Sequence, residues 1–193
     1  GVIAIQGAIS EHINSIKKAI NEKKLNGKVI PVRYKDQIDE CQGLVIPGGE
    51  STTISRILFK RDLHKKIKEK VEKKEIFVMG TCAGCVVLSK EIDDATKDVK
   101  LLELMDMKTQ RNYFGGQRES FEKNIKIKGF NKPFNAVFIR APVIEKVWNG
   151  CKVLSQIDEK IVMAKQENML ALSFHPELTP DLRIHKYFLD NLL

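Results

Sequence analysis

IFVMGTCAGCVVLSK, residues 76–90, decides how the chain is read. Ile76 to Gly80 is an apolar run of strand length bounded by glycine, the pattern of a buried strand. Cys82 follows at a corner flanked by small residues, and Ala83 to about Lys90 reads as a helix. A cysteine used only for packing behaves as a small hydrophobe and needs no such corner. A nucleophile does: Gly80, Cys82 and Gly84 form a G-x-C-x-G pattern like the strained nucleophile elbow of serine hydrolases, with sulfur in place of the hydroxyl. A helix opening at Ala83 aims its N-terminal dipole at that sulfur and favours the thiolate, and its backbone N–H faces an oxyanion. Two other readings fit this stretch alone. One is a buried cysteine in a glycine-rich turn; the other is a thioredoxin-like redox centre, since Cys82 and Cys85 form a C-x-x-C pair.

The flanking sequence alternates strands and helices. Gly1 to Gly7 reads as a buried first strand, and Ile9, Ile13, Ile16 and Ile20 keep helical spacing to about Leu25, with Ser10 as the expected N-cap. Lys28 to Tyr34 is a second strand, placed at an edge by Pro31. GLVIPGGES, residues 43–51, is a third strand running into a glycine loop. Strand-to-loop transitions separated by helices predict a parallel sheet covered on both faces. Beyond Lys90 the pattern changes to short strands at Leu101–Thr109, Asn124–Lys128, Asn135–Arg140, Lys152–Ser155, Ile161–Gln166 and Leu170–Phe174, which predicts a mixed or antiparallel extension. Asp181 to Leu193 closes the chain as a helix with Ile184, Tyr187, Phe188 and Leu192 on one side. With 193 residues and no repeat or linker, one α/β domain over 1–193 is expected.

The formal charge of +8 raises the question of a nucleic-acid surface. Much of it lies in KRDLHKKIKEKVEKK, residues 60–74, where Leu63, Ile67 and Val71 recur every four residues and acids alternate with lysines. That is a solvated amphipathic helix, without the interleaved aromatics of a nucleic-acid platform, so no nucleic-acid partner is expected. No run approaches the roughly 20 apolar residues of a membrane span, and the first strand begins without a signal-like region. Four scattered cysteines fit a reducing compartment. The expectation is a cytoplasmic protein that meets no membrane. No H-E-x-x-H, paired C-x-x-C or Walker motif occurs, so neither metal nor nucleotide cofactor is indicated.

In a doubly wound sheet, ligands sit beyond the carboxyl ends of the strands. Three unusual stretches fall there: Pro47-Gly48-Gly49-Glu50-Ser51, the Cys82 corner, and His175-Pro176-Glu177. A thiolate catalyst needs a base that later returns a proton to the leaving group. His175 is positioned for that, with Glu177 on the same side if the backbone stays extended, to hold the imidazole and stabilise its cation. His12, His64 and His185 lie in helix-like segments and read as structural, and Cys85, one turn past Cys82, reads as packing. Gly48 and Gly49 offer backbone N–H groups with room for close approach by a ligand.

These residues together resemble the class I glutamine amidotransferases, which use a Cys-His-Glu triad and a glycine-rich oxyanion loop. GVIAIQGAISEH, LVIPGGESTT, GTCAG, RNYFGGQRESFE, VFIRAP and SFHPELTPDLRIH narrow the resemblance to the PdxT/SNO family of pyridoxal 5′-phosphate synthase glutaminase subunits, in family order from Gly1 to His185. The resemblance implies a three-layer flavodoxin-like α/β fold, with a mostly parallel central sheet, helices on both faces and a mixed extension. It implies Cys82 as nucleophile, His175 as general base and acid, and Glu177 as its orienting partner. The oxyanion hole would come from Ala83 and the Gly48-Gly49 loop, and L-glutamine would be held by Gly49, Glu50, Ser51, Arg111, Ile139 and Arg140. Arg140 as a plain surface charge is the alternative. It further implies a (β/α)8-barrel synthase partner that receives the ammonia and docks near Gln6-Gly7, Pro47 to Ser51 and Arg111 to Gln117. Two departures, Gly116 where relatives often carry arginine and a missing glycine in Lys97 to Leu104, touch loops and not the triad. A γ-glutamyl hydrolase on a similar sheet remains the nearest rival.

Overall fold

The computed structural model describes residues 1–93, 98–113 and 120–192. In chain order the elements are β1 (Val2–Ile3), α1 (Ile9–Glu22), β2 (Pro31–Val32), a 3-10 turn at Lys35–Glu40, β3 (Gly43–Ile46), α2 (Ser51–Lys60), α3 (Leu63–Glu72), β4 (Phe77–Thr81) and α4 (Ala83–Leu88). There follow β5 (Ser89–Asp93), β6 (Met105–Gln110), β7 (Ser120–Ile125), β8 (Phe134–Ile139), β9 (Val143–Val147), β10 (Lys152–Ile157), β11 (Lys160–Gln166), β12 (Met169–Leu172), a 3-10 turn at Pro176–Leu178 and α5 (Arg183–Asp190).

Ten strands form one sheet in the order β2-β1-β3-β4-β12-β11-β9-β6-β5, with β10 paired to β11; β7 and β8 form a separate antiparallel hairpin. From β2 to β12 every pairing is parallel. From β12 through β11 and β9 to β6 the pairings are antiparallel, and β5 lies parallel to β6 at the far edge. The expected parallel core with a mixed extension is therefore present, and Pro31 does sit on an edge strand.

Strand periodicity divides the core between the two faces. Leu44, Ile46, Val78 and Ala171 point to the side covered by Ile54 and Leu58 of α2, Leu63 and Ile67 of α3, and α4. Val45, Phe77, Met79, Leu170 and Leu172 point to the other side, against Ile16, Ala19 and Ile20 of α1 and Ile184 and Phe188 of α5. The amphipathic segment after Lys60 is thus a core-covering helix, its Leu63, Ile67 and Val71 buried and its charges outward.

Several boundaries differ from the sequence reading. Ser10 is not an N-cap: Ala8 is, and α1 begins two residues earlier than that cap would place it, at Ile9, because Ala8 N–H bonds Gly48 O at 3.2 Å and Ile9 N–H bonds Gly7 O at 2.9 Å. The Ser10 hydroxyl turns instead to Glu11. The helix after Cys82 stops at Leu88 rather than Lys90, since the Ser89 hydroxyl donates to Val86 O at 2.7 Å and the chain turns directly into β5. Neither β5 nor β9 is visible as a strand in the sequence, both being short and each broken by two adjacent charges, Lys90-Glu91 and Glu145-Lys146. Helix α2 was hidden behind the glycine loop and is started by Glu50, whose carboxylate accepts from Thr52 and Thr53 N–H at 2.9 and 2.6 Å. Helix α4 sits unusually close to the sheet because Gly84 has no side chain: a Cβ there would lie 2.1 Å from Ile46 O.

Candidate active site

The carboxyl ends of β3, β4 and β12 converge, and each delivers one part of a site. β4 ends at Thr81 and hands the chain to Cys82, which adopts φ 48°, ψ −105° before α4 begins. A non-glycine residue there stores about 1–3 kcal/mol of strain, which the flanking strand and helix hold in place. The strand is fixed by Cys82 N–H to Leu172 O at 2.8 Å, so the thiol is presented at a rigid corner. The Cys82 sulfur lies 3.9 Å from Ile139 O.

After β12 the chain reaches His175, whose N–H is tied to Val137 O of β8 at 2.8 Å. His175 Nδ1 meets Glu177 Oε1 at 2.7 Å, with both side chains buried. The expectation that an extended backbone aligns the two is corrected: Pro176 opens a 3-10 turn, and Glu177 reaches back to its neighbour from within that turn. Burial on its own would lower the His175 pKa, but the Cys82 sulfur and the Glu177 carboxylate overcome it and push the imidazole up to about 10. Burial works to raise Glu177, and the opposing pull of His175 and His12 holds it below the ordinary carboxylate range.

β3 supplies the third part, the loop at Gly48-Gly49. Gly48 packs directly on the pair: a Cβ on it would lie 2.4 Å from His175 Cε1 and 3.2 Å from Cys82 Cβ. The next turn is clamped by Gln6, whose Oε1 accepts from Glu50 N–H at 2.8 Å. Glu50 caps α2 and stands 3.8 Å from Arg111. Partial burial opposes ionisation of Glu50, but the Thr53 and Thr52 donors lower its pKa to about 2, so it is a fixed anion.

These parts enclose a cleft of about 320 Å³. Gly49, Glu50, Ser51, Cys82, Ala83, Arg111, Ile139, Arg140 and His175 all line it. Gly48 lies against its catalytic wall and Glu177 behind His175. Arg140 follows β8 with φ 45° and is exposed, and Asn112 beside Arg111 has φ 48°, so two more lining residues hold left-handed backbone. Of the candidate docking segment, residues 114–117 lie outside the described residues, as do Gly116 and Lys97 of the two departures.

Sequence reasoning missed Gln6 as the clamp of the loop and Val86, Asn112 and Pro142 as lining. It also read His12 and His185 as unconnected structural residues. His12 Nε2 lies 3.3 Å from Glu177 Oε2, and His185 Nε2 lies 3.4 Å from His12 Nδ1. Only the fold brings α1 and α5 behind the triad, although the helical spacing of His12 with Ile16 and Ala19 does place it on the sheet-facing side. His64, stacked on Phe59 at 4.0 Å, keeps its structural reading. Cys85 is fully buried, and burial raises its thiol pKa far above the ordinary range, which suits packing. Among the described residues no His/Cys/Asp/Glu cluster could hold a metal ion, and no helix is long and apolar enough to cross a membrane.

The sequence profile of the SNO glutamine amidotransferase family matches residues 2–193. The chain belongs to that family. It is 48% identical over 194 residues to the pyridoxal 5′-phosphate synthase subunit PdxT of Methanosarcina barkeri, covering 100% of this chain and 96% of that protein. The PdxT of Pyrococcus furiosus is 43% identical over 194 residues, covering 100% of this chain and 98% of the relative. A crystal structure described as a glutamine amidotransferase superposes with TM-score 0.89 at 37% identity, covering 100% of this chain and 97% of that one. As a SNO family member the chain has the glutamine amidotransferase fold, and its Cys82 corner, glycine loop and His175-Glu177 pair stand at the carboxyl ends of the strands, the place where ligands sit in open α/β sheets.

Proposed function

We propose that this SNO family chain hydrolyses L-glutamine to L-glutamate and ammonia through a Cys82 thioester, and supplies the ammonia to a (β/α)8-barrel synthase subunit that makes pyridoxal 5′-phosphate. The observation that carries the reading is His175, held by Glu177 at 2.7 Å and pushed up to about 10 beside the strained Cys82 corner. An imidazolium next to sulfur is a proton donor already placed for an amide leaving group.

The Cys82 sulfur adds to the side-chain carboxamide carbon of glutamine. The carbonyl oxygen becomes an oxyanion, accepting N–H bonds from Ala83 and from the Gly48-Gly49 loop, each donor contributing about 3 kcal/mol in the transition state. His175 gives its proton to the departing nitrogen, the C–N bond breaks, and ammonia leaves a γ-glutamyl thioester. The now neutral His175 takes a proton from water, whose oxygen adds to the thioester carbon; the C–S bond breaks and glutamate departs. Glu177 holds the ring on the same tautomer throughout.

Free glutamine carries an α-carboxylate and an α-ammonium. Arg111 and Arg140 suit the first, since a guanidinium matches a carboxylate in charge and geometry. The Glu50 anion suits the second, with Gly49, Ser51 and Ile139 completing the walls. Ammonia released into water at neutral pH becomes ammonium and loses its nucleophilicity, which supports direct transfer to a partner docked over this cleft. Residues 1–193 act as one glutaminase domain in the cytoplasm on this reading. The test is ammonia release from L-glutamine with and without the synthase subunit, with Cys82→Ala as blank. Release that rises with the partner and vanishes in the variant is expected; none from folded protein with an active partner defeats the proposal.

A further inference from the structure

Behind the triad, the rear oxygen of Glu177 raises a question. Oε1 is engaged by His175, but Oε2 is buried and has no hydrogen bond among the described residues. A buried carboxylate oxygen without a hydrogen bond is costly, and His12 Nε2 stands 3.3 Å from it without being lined up with it. The same Nε2 lies 3.1 Å from the hydroxyl of Thr81, the residue before the nucleophile.

We infer that His12 is a positioning residue: its Nε2–H, shared between Thr81 Oγ1 and Glu177 Oε2, fixes the carboxylate so that Oε1 keeps the His175 ring aligned on Cys82. The inference takes the roles of the triad from the glutaminase reading above.

The protons follow by elimination. Glu177 is ionised and only accepts, so the His12 nitrogen facing it carries the hydrogen. His12 Nδ1 is then an acceptor, and His185 Nε2, 3.4 Å away, is its donor. His185 Nδ1 is left as a bare acceptor, and it is indeed buried without a partner among the described residues. Both rings stay neutral: burial lowers His12, and burial with the neighbouring His12 lowers His185 to about 3. The groups acting on His12 are Glu177 and His175 beyond β12, His185 on α5 and Glu11 on its own helix. The two N–H groups therefore point one way: His185 donates to His12, and the His12 N–H, bonded to Thr81 Oγ1, lies 3.3 Å from the carboxylate.

Helix α1 also controls the other half of the site. Ala8 N–H, in the turn that starts it, bonds Gly48 O. Gln6, just before, clamps Glu50 N–H. One segment, Gln6 to His12, thus holds both the glycine loop and the triad carboxylate.

The pH profile of Cys82 alkylation by iodoacetamide, read by mass spectrometry of its peptide without glutamine, tests this in the full chain. In His12→Leu, alkylation at pH 6.5 should fall about tenfold, the scale of one misplaced buried hydrogen bond, and converge on wild type above pH 9. With the synthase subunit, kcat should fall with KM for glutamine changed less than about threefold. His12→Gln, whose amide N–H reaches a similar point, should restore most of both. An unshifted alkylation profile in folded His12→Leu overturns the inference. If that variant does not fold, ring-nitrogen NMR of wild type decides: His12 as the neutral Nε2–H tautomer from pH 5 to 9 supports it, and the Nδ1–H tautomer overturns it. A shifted profile in a protein that releases no ammonia would instead fault the glutaminase reading.

Discussion

The two sides of the Glu177 carboxylate hold imidazoles in opposite states. In front, His175 is pushed up to about 10; behind, His185 is pushed down to about 3 and His12 is also lowered. All three rings are buried, at 7%, 0% and 0% exposure, so burial cannot be what separates them. Desolvation lowers every one of them. In front, sulfur and carboxylate together reverse that effect; behind, His185 faces another imidazole and sits farther from the carboxylate, so desolvation prevails. His12 and His175 both face the Glu177 carboxylate, at 3.3 and 2.7 Å, and only His175 also has the Cys82 sulfur beside it, so it is the sulfur that separates the raised ring in front from the lowered one behind.

The strongest way to break this contrast is Cys82→Ala. It removes the proposed nucleophile and one of the two groups that raise His175. Glutamine hydrolysis should fall by about 10⁴-fold or more, the scale for deleting a nucleophile from a triad. The His175 pKa, followed by ring NMR, should also drop from about 10 toward the neutral range of its neighbours. An unmoved His175 in this variant would show that Glu177 alone sets the front side.

Gly48→Ala should cost less but affect both stability and rate. Its Cβ would be placed 2.4 Å from His175 Cε1, so either the ring or the loop must move. Overpacking of this kind costs about 1–3 kcal/mol, readable as a lower denaturation midpoint. Loss of alignment of about 1 Å is worth about 100-fold in rate. Unchanged kcat/KM would mean that the loop yields without disturbing the ring.

The contrast also gives stability two opposite pH slopes. His175 has a raised folded pKa, so its contribution is complete below its unfolded value near 6.5 and is lost as pH rises through about 10. His185 has a depressed folded pKa, so its contribution is complete above about 6.5 and is lost as pH falls toward about 3. His12 slopes the same way as His185, while Glu177, being lowered, adds stability that is lost below the ordinary carboxylate range. Urea midpoints at pH 5, 7 and 9 should therefore peak near neutrality. His185→Phe should flatten the acid side and leave the alkaline side steep; flattening of both would show that the two sides are not separately titrating.

How much of this could be read from the chain alone depends on how local each cause is. The parallel core was legible because residues 43–46 and 77–81 are short, mostly apolar runs that lead into the Pro47-Gly48-Gly49 turn and the Cys82 corner, the pattern of a buried strand bounded by turn residues. The candidate site was legible for a related reason: Cys82 and the His175-Glu177 pair follow β4 and β12, where polar and reactive side chains stand out against core. β5 and β9 were hidden because the adjacent charges Lys90-Glu91 and Glu145-Lys146 break the alternation of a half-buried strand, and both pair with β6. The Ser10 cap failed because a long-range bond, Ala8 N–H to Gly48 O, starts α1 before the local signal does. His12 was set aside because Glu177 is 165 positions away in the chain, and only the packing of α1 against the turn after β12 brings them to 3.3 Å.

The smallest expected effect is at Cys85, three residues past Cys82 and on the short helix that follows it. Its sulfur is fully buried, and burial is the leading cause raising its thiol, with Cys82 and Cys151 adding to the rise. A thiol held neutral in that way neither attacks nor resolves, so the C-x-x-C spacing carries no redox work. Cys85→Ser replaces a weakly polar sulfur with a hydroxyl in a core built from Val87, Leu88 and Leu102. It should lower stability by about 1–3 kcal/mol, the cost of burying a hydroxyl in such surroundings. Glutamine hydrolysis by the folded fraction should stay within about twofold of wild type, since such a loss leaves the strained corner at Cys82 anchored through its N–H to Leu172 O. A loss of activity comparable to Cys82→Ala, in protein that remains folded, would mean that the second thiol takes part in the chemistry, and the opposition between a strained corner and a silent core would have to be redrawn.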